Sequence, residues 1–61
     1  MLITCGRITI LLEESVSHAF AGARVLDVHY YREQYVEFQT TKGRISIPYS
    51  RVVYIKEELA K

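Results

Sequence analysis

The sequence predicts an all-β chain: a single domain over residues 1–61, folded as a small, five-stranded, strongly bent antiparallel barrel. Three observations predict it. Apolar residues recur mostly at every second position, the spacing of a strand with one buried face. β-Branched and aromatic residues fill those runs. Short turn sequences such as Lys42-Gly43 separate them at hairpin distances. With 61 residues there is room for one core, and folding at that length buries only about 60 % of the surface the unfolded chain exposes. Such a core is marginal unless disulfides, metal or partner subunits add to it. Cys5 stands alone and no Cys/His cluster has metal-ligand spacing, so self-association is the support that remains.

The elements follow in order. Ile8, Ile10 and Leu12 alternate with Arg7, Thr9 and Leu11 and read as the first strand. Ile3 and Cys5 fall on the other phase, so Gly6 reads as a bulge that switches it, and residues 1–7 are otherwise unassigned. Residues 15–23, with small polar side chains and Gly22, suggest a loop plugged by Val16 and Phe20; a short helix is the rival. In residues 24–31, Leu26, Val28 and Tyr30 share one face while Asp27, His29 and Tyr31 share the other. Arg32-Glu33-Gln34 is long enough only for a hairpin turn. Residues 35–41 form the next strand, Val36 and Phe38 facing one way and Tyr35, Glu37 and Gln39 the other. A tight turn at Gly43 leads into residues 44–47, which Pro48 ends because it lacks a ladder donor. After Tyr49-Ser50-Arg51 comes a last short strand, residues 52–55, then a tail over 56–61 compatible with one helical turn. The predicted core is Ile8, Ile10, Leu12, Phe20, Val25, Leu26, Val28, Val36, Phe38, Ile45, Ile47, Val53 and Ile55. Short antiparallel strands, the last two joined by a tight turn, fit an SH3-like or OB-like barrel, and closure would hide most strand edges.

Eight Lys+Arg against seven Asp+Glu leave a formal charge of +1, without the basic excess that announces nucleic-acid binding by composition alone. Locally, Arg24, Arg32, Lys42, Arg44 and Arg51 meet only Asp27, Glu33 and Glu37, a mildly basic stretch whose ordinary reading is solvated surface. The first seven residues carry no basic run before the apolar segment, and Thr9 and Glu13 interrupt and close that segment. Neither a signal peptide nor a membrane span is expected, hence no membrane partner. One unpaired Cys without an export signal favours a reducing cytoplasm.

Catalytic chemistry finds no purchase. Cys5 lies in an apolar run without a base and an orienting group, and Glu13-Glu14 and Glu57-Glu58 are adjacent pairs that a strand turns to opposite faces. There is no Gly-rich phosphate loop, and His18 and His29 lack ligand neighbours, so no cofactor or metal is expected and both histidines read as surface or packing residues. The tyrosines are the exception. Tyr31, Tyr35, Tyr49 and Tyr54 fall on outward phases or turns, where exposed rings call for a partner. Tyr31 and Tyr49 stacking on splayed bases, with Arg32 and Arg51 on phosphate or sugar, would bind single-stranded RNA. Burial of these rings against a neighbouring subunit is the alternative. Val52 and Tyr54, with Ile45 or Ile47 opposite, suggest an edge that pairs with another protomer.

Ile47-Pro48-Tyr49-Ser50-Arg51-Val52-Val53-Tyr54-Ile55 resembles the second half of the Sm/LSm signature, in which Ile-Arg-Gly-Asp-Asn precedes Val-Val-Tyr-Ile. The first half is similar too: an apolar strand, Phe20-x-Gly22, residues 25–28, then Tyr35-Val36-Glu37-Phe38. The likeness covers residues 8–56 and rests mostly on apolar positions. It implies an Sm-like barrel whose fourth strand meets the fifth strand of the next subunit, a heterologous contact that closes a homo-oligomeric ring. An isologous dimer through the same edge is the alternative. Where RNA-binding members carry Asp and Asn this chain reads Tyr31-Arg32-Glu33-Gln34, and where they carry Arg-Gly it reads Pro48-Tyr49-Ser50-Arg51, so uridine recognition does not carry over. The family's N-terminal helix has no counterpart. Residues 41–48 also resemble the hairpin of AbrB-type DNA-binding domains, but too few residues follow for the rest of that fold.

Overall fold

The computed structural model describes residues 1–59, and the all-β class holds. Six strands form instead of five: β1 Leu2–Cys5, β2 Ile8–Leu12, β3 Val25–Tyr31, β4 Tyr35–Thr40, β5 Gly43–Pro48 and β6 Val52–Glu57. They do not close into a barrel. Two three-stranded antiparallel sheets, β1-β2-β6 and β3-β4-β5, pack on a common core.

The extra strand comes from Gly6, which makes a turn and not a bulge. With φ of 60° it takes the first place of the two-residue Gly6-Arg7 loop that joins Cys5 to Ile8, a place that disfavours any residue with a Cβ. The phase switch at Gly6 is therefore a change of strand: Ile3 pairs with Ile10 and both are buried. Residues 15–23 adopt the rival to a loop, a 3-10 helix over Glu14–Phe20. It lowers Phe20 onto Phe38, ring centroids 5.0 Å apart and planes at 88°, the edge-to-face geometry that the ring quadrupoles favour.

Ile10, Leu12, Val36 and Phe38 are the most deeply buried large side chains, with Ile3, Phe20, Val28 and Ile47 around them. Ile8, Val25, Ile45 and Ile55 are only partly buried. Two expected core residues lie outside altogether: Leu26 is 59 % and Val53 58 % exposed. Both have the same cause. In β3 the register jumps between Val25, opposite Thr40, and Asp27, opposite Gln39; in β6 it jumps between Val52, opposite Leu12, and Tyr54, opposite Leu11. Leu26 and Val53 are the inserted residues of two β-bulges, and an insertion throws its side chain off the inward phase. The Asp27 carboxylate holds the first bulge by accepting the Val28 N–H at 2.8 Å.

Thr40 is the one buried polar residue among those described, and it is satisfied: its hydroxyl donates to the Gly43 carbonyl at 2.6 Å and accepts the Lys42 N–H at 3.2 Å, fixing the β4–β5 turn. At the other end β6 runs past residue 55. The Glu58 N–H donates to the Arg7 carbonyl at 2.9 Å, so residues 56–58 extend the ladder and do not begin a helical turn; Ala60 and Lys61 fall outside the described residues.

Candidate binding groove

An open groove of about 440 Å³ runs along β6. One wall is β6 itself, from Val52 to Ile55 and again at Glu57; the other is built from Tyr30, the hairpin residues Arg32 and Glu33, and Tyr49 of the 3-10 turn Tyr49–Arg51. Local geometry sets each of these. Tyr30 lies on the inward phase near the end of β3, and its hydroxyl reaches across to donate to Glu57 Oε1 of β6 at 2.7 Å. That bond and the charge of the accepting carboxylate hold the Tyr30 phenol above its ordinary pKa, with the Arg32 guanidinium pulling the other way. Glu33 occupies the left-handed region, φ 63°, in the three-residue hairpin loop whose Gln34 N–H donates to the Tyr31 carbonyl at 3.0 Å. A positive φ at the third residue of a turn closed by that bond is the type II pattern, which usually carries Gly there.

The sequence-predicted sites come together only in part. Arg32 and Tyr49 line the groove, as do Val52 and Tyr54. Tyr31 does not: its ring packs on Tyr35, centroids 4.9 Å apart and planes at 36°, and its partner row Tyr31, Tyr35, Pro48 forms an aromatic shelf on the outer face of the second sheet. Arg51 is occupied elsewhere, its Nη1 3.2 Å from Glu13 Oε1. Ile47 is buried within the chain's own core, and Ile45 is half-buried on the same phase of β5. Sequence reasoning missed Tyr30, Glu33, Val53, Ile55 and Glu57. Only Tyr30 carried a signal, since a tyrosine on an inward phase needs a partner for its hydroxyl.

Electrostatically the groove is mixed, one guanidinium (Arg32) against two carboxylates (Glu33 and Glu57). That balance does not concentrate phosphate. Outside the groove, the row Leu2, Leu11, Tyr54 crosses the outer face of the first sheet, with Leu2 59 % and Tyr54 46 % exposed. Each sheet has two strands paired on one side only, β1 and β6 in the first, β3 and β5 in the second. Among the described residues no group of His, Cys, Asp and Glu could hold a metal ion, and no helix is long and apolar enough to cross a membrane. No family model, curated protein or solved structure matches this chain.

Proposed function

We propose that this chain is a non-enzymatic assembly module, which joins copies of itself through the unpaired edges of β5 and β6 in the manner that the Sm-like resemblance implies. The observation that carries the reading is the state of β6: it is paired on one side only and exposes Val53 and Tyr54, 58 % and 46 % accessible. An apolar strand edge left unpaired is an invitation to pair with another chain. Strand order supports the finer, SH3-like or Sm-like reading of the fold. Three consecutive antiparallel strands are followed by a 3-10 turn and a last strand that returns to β2.

Light scattering behind size exclusion, at two salt concentrations, tests the reading. A discrete assembly of more than four copies supports it; a monomer across the micromolar range refutes it. Binding of single-stranded RNA is the second reading, and one observation favours it: Arg32 and Tyr49 share the groove. Its test is the affinity for a single-stranded RNA of mixed sequence. Tyr49→Ala should cost about 1–3 kcal/mol if the ring stacks on a base, whereas unchanged affinity with the assembly intact would exclude Tyr49 from the contact.

A further inference from the structure

The self-assembly reading leaves open how the two edges meet, and the hydrogen-bond phase of each edge narrows the answer. In β6 the Glu58 N–H bonds to Arg7, so by ladder alternation Tyr54 and Lys56 also turn their backbone groups toward β2 while Ile55 and Glu57 turn theirs outward. In β5 the Tyr49 N–H bonds to the Gln34 carbonyl, so Ile45 and Ile47 turn toward β4 while Arg44, Ser46 and Pro48 turn outward. An incoming strand must set outward groups against outward groups. Only registers that place Arg44 or Ser46 opposite Ile55 or Glu57 meet that condition.

Charge selects among them. Run antiparallel, β5 brings Arg44, at its start, to the acidic end of β6; run parallel, it brings Arg44 to Val52 and Val53. Of the antiparallel registers, one slipped by two residues sets Arg44 against Ile55 and leaves Glu57 to a turn residue, Lys42. A slip the other way sets Pro48, which has no N–H, against the outward groups of Ile55. We propose that β5 of one copy pairs antiparallel with β6 of the next with Arg44 opposite Glu57 and Ser46 opposite Ile55. Pro48 then falls opposite Val53, where the bulge already interrupts the ladder. Both charges are available. The Arg44 side chain is 66 % exposed, with only a 3.8 Å approach to Glu37, and Glu57 engages Tyr30 through Oε1 alone. The contact is heterologous, so each copy gives one β5 and receives one.

Reciprocal charge reversal tests this, resting as it does on the assembly reading. Arg44→Glu sets two acids against each other at every contact, and Glu57→Arg sets two guanidinia. Each variant alone should need roughly tenfold higher concentration to assemble, because like charges directly opposite are destabilising. Mixed one to one, the two should assemble again, since both contacts of an alternating array then pair opposite charges. Single variants that assemble like the parent, or a mixture that does not recover, would overturn the register while leaving self-assembly standing; a monomeric parent would sink self-assembly itself. A second arm does not depend on charge. In a Cys5→Ser background, Ile45→Cys with Lys56→Cys places the thiols at a non-hydrogen-bonded pair, about 4.5 Å between Cα atoms and within disulfide reach. Oxidation should give covalent multimers there. A faster cross-link for Ile45→Cys with Tyr54→Cys would show the slipped register and refute the proposal.

Discussion

Leu12 and Leu26 offer one substitution at two positions that simple alternation treats alike. Leu12 is 1 % exposed in the core and Leu26, inserted at the β3 bulge, is 59 % exposed. Leu→Ala removes three carbons, a transfer loss of about 2.4 kcal/mol when all are buried. At Leu12 a cavity term adds to this, for a total of about 3 kcal/mol or more. At Leu26 roughly two-fifths of the side chain is covered and solvent takes the vacated space, so about 1 kcal/mol is the ceiling. A domain of this length has roughly 3–9 kcal/mol in all. Leu12→Ala should therefore lower Tm by roughly 12–24 °C and Leu26→Ala by less than about 8 °C. Urea unfolding at low protein concentration, with m unchanged, measures the pair. Equal losses at the two positions would refute the bulge and return Leu26 to the core.

Three further outcomes follow from the same geometry. Glu33→Gly relieves a left-handed residue with φ 63° and should raise stability by about 1 kcal/mol in the same urea assay. Thr40→Val keeps the shape and strips the hydroxyl from the Gly43 carbonyl and Lys42 N–H, and should cost about 1–3 kcal/mol. The Tyr30 phenol is held above its usual value near 10, so in an ultraviolet titration it should ionise above the ordinary tyrosine range, and Glu57→Gln should bring it down. The sign is that of a raised pKa: the Tyr30–Glu57 bond supports the fold below pH 10 and is lost as pH climbs through the folded-state value.

Alternation made the second sheet legible. Val28, Val36, Phe38 and Ile47 are inward as their period demands, and the turn at Gly43 joins β4 to β5. Period-two reading fails wherever a residue is added without a change of composition. Leu26 and Val53 are as apolar and as β-prone in context as their neighbours, and nothing in the letters distinguishes an insertion from the next rung. Gly6 posed the converse problem. A reversal of phase beside a glycine is produced equally by a bulge within one strand and by a turn between two, and only the pairing of Ile3 with Ile10 decides. The groove was less legible than the fold, because it joins residues from β3, a hairpin loop, a 3-10 turn and β6 that no spacing rule connects.

The fate of the two expected phosphate contacts, Arg32 and Arg51, turns on electrostatics and not on exposure. Arg51 is accessible, yet the Glu13 carboxylate meets it at 3.2 Å, and an anion arriving there must displace that partner. Arg32 is unopposed by any close ion pair among the described residues, but it shares the groove with Glu33 and Glu57. A polyanion therefore gains one contact while facing two like charges in the same groove. A strand edge faces no such obstacle. Its hydrogen bonds are neutral, and the same Glu57 that repels phosphate is the group that Arg44 of a neighbouring copy would meet.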